Sequence, residues 1–325
     1  MDNKILIVYN TCGIRGDNTD WYIHCIKTML DQNFDGHKIV LSSCLNSPEC
    51  IEKIKSVFGD QIYYCIHKEA HTVNITFNKA VLDVVKSVGS FENYLYIDSG
   101  CCFEDLNLSS ENKNQDFILQ KLYNCRQHHG DGIISLQADS DEAFQTLDSR
   151  FKWSTSEVQI TDEDYVIPVG KAINGHTLLF SHSVLEKFGK LIPDVFAAFC
   201  TESVLTFVCA AIGGKWVIMK DYQIHHARSV DGPSSAHGHW SSKFNNPWNN
   251  LLFDRNALDF INDSYALEVG LGYEECNSIM MHNPDAYDSN GQSKYPEELS
   301  HMISKYFYSS NDDIDYNNMR STCLA

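Results

Sequence analysis

Tyr94-Leu95-Tyr96-Ile97-Asp98-Ser99-Gly100-Cys101 decides the reading of this chain. Four apolar or aromatic residues in a row read as a short buried strand. The run stops at an acid and then at Ser-Gly, a turn pair. One carboxylate, Asp98, therefore sits at the carboxyl end of a central strand. In open α/β sheets ligands bind at that place. A helix precedes the strand, and another is expected to follow it.

Upstream, Lys4 to Tyr9 is a fully apolar strand of the kind found inside a parallel sheet. A loop with two glycines, Asn10 to Asp17, leads to a helix with Tyr22, Ile26, Met29 and Leu30 on one face. Lys38 to Ser42 is a second strand, Ile51 to Phe58 a short helix, and Ile62 to Ile66 a third strand. Phe77, Ala80, Val81, Val84, Val85 and Val88 step by three and four, the mark of an amphipathic helix, and Gly89 ends it. Strictly alternating strands and helices predict a mostly parallel sheet with helices on its faces.

The second half is less regular. Phe117 to His128 reads as a helix and Gly132 to Leu136 as a strand. Residues 139–164 read as a polar, acidic surface excursion. Gly175 to Phe180 is strand-like, Ser183 to Phe188 is helical, and Val204 to Ile212 is an apolar helix closed by Gly213-Gly214. Lys215 to Met219 is a strand, with His225-His226 six residues beyond it. Ser229 to Trp248 reads as a long loop or lid. The organisation expected is one domain over 1–228, in two halves, 1–105 and 106–228. A lid and C-terminal extension (229–325) would pack on that core.

The bulk numbers exclude some functions. A net charge of -18 over 325 residues is wrong for a nucleic-acid scaffold, because phosphate backbones attract Lys and Arg. No run is apolar enough for a spanning segment. Twelve scattered cysteines without a Cys-x-x-Cys pair suggest reduced thiols in a cytoplasmic setting.

Several short motifs carry candidate chemistry. Asp98-Ser99-Gly100 offers a carboxylate for a divalent cation or a sugar hydroxyl; the plainer alternative is a strand-end acid capping a turn. Glu202, in Thr201-Glu202-Ser203, is a candidate general base, or simply an acid favoured by a helix dipole. His225 and His226 are candidate metal ligands. With His237 and His239 a four-histidine zinc site is conceivable, but it is disfavoured because no cysteine sits at ligand spacing. Asn10, Thr11, Cys12 and Arg15 line a loop that could hold a base or phosphate, although it is neither G-x-G-x-x-G nor a Walker loop. Asn78 and Lys79, at a helix opening, could reach a ribose or phosphate, or could be ordinary exposed positions.

The order of these motifs resembles that of nucleotide-sugar glycosyltransferases of the GT-A fold, most like the family two group. The matching stations are Ile5 to Arg15, Phe77 to Ala80, Asp98-Ser99-Gly100, Asn174 to Gly189, Glu202-Ser203, and His225 or His226. The resemblance covers roughly residues 4–228, and it implies that 1–228 is a catalytic domain with a nucleotide-binding half (1–105) and an acceptor half (106–228). It implies an α/β GT-A-like fold and inverting transfer from a nucleotide-diphosphate sugar to a glycan, lipid or protein hydroxyl. Glu202 would be the base. The donor would contact Asn10, Thr11, Cys12, Arg15, Asn78, Lys79, Asp98, Ser99 and Gly100. Mn²⁺ or Mg²⁺ would sit on Asp98 with His225 or His226. Asn174, Gly175, His176 and Trp240 would face the acceptor.

Two departures stand out. The family's second acid is replaced by Gly100, and Ser42-Ser43-Cys44 replaces the acid that usually follows the second strand. Glu104 or Asp105 could compensate for the first, and Asp17 or Asp20 for the second. A non-catalytic sugar-nucleotide or glycan-binding domain is the alternative these losses leave open. A nucleotidyltransferase is disfavoured, since Asn10 to Asp17 holds one Arg and no Lys.

Overall fold

The computed structural model describes residues 3–13, 17–68, 73–104, 117–138, 159–160, 164–167, 176–192, 205 and 208–226. The strands are β1 (Ile5–Cys12), β2 (His37–Cys44), β3 (Tyr63–His67), β4 (Asn93–Ile97), β5 (Cys101–Cys102), β6 (Gly132–Ala138), β7 (Gln159–Ile160), β8 (Asp164–Ile167), β9 (Thr177–Ser181) and β10 (Lys215–His226). The helices are α1 (Thr19–Leu30), α2 (Pro48–Phe58), α3 (Val73–Val88), α4 (Ile118–His129) and α5 (His182–Phe188).

The strands form a 10-stranded sheet in the order β3-β2-β1-β4-β9-β6-β10-β8-β7, with β5 pairing β10 off that path. The four strands β3, β2, β1 and β4 are parallel, as are β6 and β10. β9 runs antiparallel between β4 and β6. The expected α/β architecture, a mostly parallel sheet flanked by helices, is present.

Local chemistry accounts for the elements. β1 is apolar on both faces because both are covered: Ile5, Ile7 and Tyr9 pack toward α1 and α2, Leu6 and Val8 toward α3. α2 starts where the Ser47 hydroxyl accepts from the Cys50 N–H at 3.1 Å, followed by Pro48 at the first turn. The loop after β1 closes against the loop after β2. A Cβ on Gly13 would meet the Leu45 carbonyl oxygen at 2.4 Å and the Asn46 Cα at 2.5 Å, so only glycine fits.

After Asp98 a turn leads into the short strand β5, and the helix expected over Phe117 to His128 is α4. Three expectations need correction. β10 does not stop at Met219; a register shift between Met219 and Gln223 lets it continue through His226. The acidic stretch before residue 164 holds β7, and β8 opens at Asp164. α3 begins at Val73, so Asn78 lies in its second turn and not at its mouth. Residues 229–325 lie outside the described residues.

Candidate functional site

From β1 the chain moves outward to β2 and β3, then returns to place β4 on the other side of β1. The carboxyl ends of β1 and β4 thus flank the point where the strand order reverses, the ligand crevice of an open α/β sheet. β1 brings Asn10, Thr11 and Cys12 there, and β4 brings Asp98.

The Asp98 turn is held from several sides. The Tyr96 hydroxyl donates to Asp98 Oδ1. His176 Nδ1 lies 3.0 Å from Asp98 Oδ2. The Asp98 N–H donates to the His176 carbonyl at 3.1 Å, and the Cys101 N–H to the Asp98 carbonyl at 3.0 Å. The Ser99 carbonyl accepts from the Tyr9 hydroxyl at 2.7 Å and from Trp21 Nε1 at 3.0 Å. Burial, then the neighbouring Cys25, pushes the Tyr9 hydroxyl well above its usual range. It therefore stays protonated and keeps donating. About a third of the Asp98 side chain faces solvent (34%), so the carboxylate is braced and still reachable.

Asn10 is buried. Its Nδ2 donates to the carbonyls of Val8 and Ile97, both at 3.3 Å, tying β1 to β4. Its Oδ1 is a buried acceptor with no hydrogen-bond partner among the described residues. Thr11 donates to Asn46 Oδ1 at 2.9 Å, as Ser43 does at 2.7 Å. Asn46 Nδ2 in turn donates to Asp17 Oδ1 at 2.8 Å, and the Ser47 N–H to Asp17 Oδ2 at 3.0 Å. Partial burial pushes the Asp17 carboxyl up, but hydrogen bonds from Ser47 and Asn46 outweigh it and hold the carboxyl below its usual range. Asp17 is therefore a clamp between two loops. Asp20 makes a surface ion pair with Lys53 at 2.7 Å. The two acids offered for base reading have these other partners.

Asn78 is likewise put to another use. It is buried; its Nδ2 donates to the Ile192 carbonyl at 2.6 Å, and its Oδ1 accepts from the N–H groups of Leu191 at 3.0 Å and Ile192 at 3.3 Å. Lys79 is exposed on α3, near enough to lower the Cys65 thiol slightly against the raising effects of burial and Asp83.

His176, expected on the acceptor side, is the partner of Asp98. The register Ile97↔Thr177 across β4 and β9 puts them side by side. His225 and His226 pair with Cys102 and Cys101 across β10 and β5, a short turn beyond Asp98. The His225 ring meets Trp21 edge-on at 5.9 Å, and the His225 backbone N–H donates to the Glu104 carbonyl at 2.8 Å. Beside it His24, Cys102 and Glu104 bring their ligand-type atoms within 4.8 Å of one another. Arg15, Asn174, Gly175, Glu202 and Trp240 lie outside the described residues, as does the His226 side chain.

The bracing groups Tyr9, Trp21 and Tyr96 escaped sequence reading. Tyr96 alone had a signal: it sits two residues before Asp98, on the same face of the strand.

No protein-family model matches the chain, and no curated protein matches it in sequence. Solved structures do match in fold. A fragment of S. aureus TarS (1-349), in complex with UDP, has 10% identity and a TM-score of 0.51 over 94% of this chain and 89% of that one. A longer TarS structure gives 9% and 0.50, covering 99% of this chain, which spans 55% of its length. The fold is GT-A-like. The mannosyltransferase PcManGT from Pyrobaculum calidifontis, in complex with GDP-Man and Mn²⁺, aligns at 11% identity and a TM-score of 0.49 over 94% of this chain and 86% of that one. Among the described residues of this GT-A-like chain, no helix is long and apolar enough to cross a membrane.

Proposed function

We propose that the protein is an inverting glycosyltransferase that moves a sugar from a nucleoside-diphosphate donor to an acceptor hydroxyl. The observation that carries the reading is the braced, solvent-reachable Asp98 at the carboxyl end of β4, beside the end of β1, where the strand order reverses. The GT-A-like fold and the UDP bound to the TarS fragment support a nucleoside diphosphate as ligand class.

Donor binding falls to the rim formed by Asn10 to Arg15 and by Asp98 to Gly100. The orphaned Asn10 Oδ1 is an acceptor suited to a base or ribose N–H or O–H. Mn²⁺ or Mg²⁺ would sit on Asp98 with His225 or His226. One carboxylate and an imidazole, completed by phosphate oxygens, make a suitable donor set for such ions. The β5–β10 pairing that carries the histidines close behind Asp98 is compatible with it. The cation would offset charge on the leaving diphosphate. Tyr96 and His176 orient the Asp98 carboxylate. Glu202 takes the proton from the acceptor hydroxyl as it attacks the anomeric carbon, and the diphosphate leaves from the opposite face. Asn174, Gly175 and Trp240 remain acceptor-side candidates, as Lys79 does for the donor.

The test has two stages. Thermal shift with UDP, GDP and their sugars, in Mn²⁺ or in EDTA, should show one diphosphate stabilising the protein, and Asp98→Ala should abolish the effect. Donor turnover with Glu202→Gln then separates catalysis from binding. No stabilisation by any nucleotide overturns the proposal. Stabilisation with donor turnover that Glu202→Gln leaves unchanged removes Glu202 as base; stabilisation without turnover favours a binding domain.

A further inference from the structure

Away from the Asp98 crevice, α4 and β8 bury three groups whose chemistry the proposed transfer does not use. Cys125 and His129 stand one turn apart on α4, and Asp164 opens β8. All three are buried, and their ligand-type atoms lie within 4.8 Å of one another. His129 Nε2 lies 2.8 Å from Asp164 Oδ2, and the Cys125 thiol donates to the same oxygen at 3.7 Å.

We propose that Cys125, His129 and Asp164 form a binding site for a zinc-class divalent cation that fastens β8 to α4. The donor set is thiolate, imidazole and carboxylate, the mixture zinc takes. Cysteine and histidine at i and i+4 share one face of a helix. The spacing nearly fits already. Around a tetrahedral ion a sulfur and an oxygen ligand stand about 3.6 Å apart, and a nitrogen and an oxygen about 3.4 Å. The Cys125–Asp164 distance is 3.7 Å, His129 and Asp164 must separate by about half an ångström, and Cys125 and His129 lie within 4.8 Å of each other. Burying a carboxylate against an imidazole and a thiol is costly, and a divalent cation offsets it. On binding, the Cys125 S–H bond breaks, its proton leaves to solvent and the sulfur joins the metal. His129 binds as neutral imidazole, and water completes the fourth position.

Cobalt is the probe. Full-length protein, stripped of metal by chelator and kept reduced, is titrated with Co²⁺. A thiolate-to-cobalt charge-transfer band in the near ultraviolet, with the intense d–d bands of four-coordinate cobalt, is expected at saturation, and Zn²⁺ should displace both. Cys125→Ser should abolish the charge-transfer band. Cys102→Ser, which removes the thiol of the His24–Glu104 cluster, should leave it intact. Should Cys125→Ser fail to fold by far-ultraviolet circular dichroism, His129→Gln serves as second variant, weakening Co²⁺ binding by roughly tenfold or more. No thiolate band in the unaltered protein overturns the proposal. So does a band that survives Cys125→Ser, depends on Cys102, or keeps full affinity in His129→Gln. None of these readings depends on nucleotide or transfer activity, so failure here leaves the proposed transferase standing, and the converse holds.

Discussion

Asn78→Ala would open the space between α3 and the segment at Leu191 and Ile192. The hydrogen bonds lost include those to Leu191 and Ile192, at 2.6, 3.0 and 3.3 Å. They leave two N–H groups and one carbonyl of buried residues without the partner they have now. Each unsatisfied buried group costs about 1–3 kcal/mol, but the two N–H groups share one acceptor and the site can relax, so about 3 kcal/mol is the working total. Alanine recovers about 0.5 kcal/mol of helix propensity. The net loss expected is about 2.5 kcal/mol, or about 4 °C in Tm for a chain of this size. Equilibrium urea unfolding followed by far-ultraviolet circular dichroism measures it, and nucleotide affinity of the folded variant is measured beside it. The reasoning requires a large fall in stability with unchanged affinity. A stability loss under about 1 kcal/mol, or weakened nucleotide binding at an unchanged urea midpoint, would refute the clamp and return Asn78 to the ligand site.

Asp17, whose native carboxyl titrates below its usual value, stabilises the fold fully above the unfolded value of about 3.9. That contribution falls away as the pH drops through the native value. The stability gap between the unaltered protein and Asp17→Asn should therefore be constant near neutrality and close in acid; a gap that persists at the acid end contradicts it. Gly13→Ala forces a Cβ against backbone atoms of Leu45 and Asn46 and should cost roughly 2 kcal/mol in urea unfolding, while an unchanged midpoint would deny the close approach. Cys65, pushed up to about 12 by burial and then by Asp83, should resist iodoacetamide at about pH 8 in the native protein and react in urea, as peptide mass spectrometry can score.

What the sequence reveals here depends on whether a signal is local. β1 and β4 are legible as unbroken apolar runs, and α3 as a three-and-four stepping of Phe77 to Val88. β10 is legible only to Met219, because Lys220, Asp221 and Gln223 interrupt the apolar pattern where the register shifts. β8 hides because its first residue is an acid, and that acid is buried against His129 and Cys125 of α4. Asn78 reads as a surface polar residue until the backbone of residues 191 and 192 arrives, more than a hundred positions later. The Asp98 station is visible in sequence, but its bracing by His176 depends on an antiparallel register that no local pattern encodes. The Cys-x-x-x-His spacing of Cys125 and His129 runs one residue past the helix read over Phe117 to His128, and a search confined to Cys-x-x-Cys passes over it.

The reversed direction of β9 bears on how such a rim can be varied. In a purely parallel sheet, only segments that leave strands reach the ligand side. Here a segment that enters a strand, ending at His176, arrives on the same rim as one that leaves, starting at Asp98. The two are welded by ladder pairing at their base, Ile97 against Thr177. A change in the strand that carries the acid is therefore felt at once by the residue that enters the sheet beside it, so the acid and its imidazole brace move as one unit.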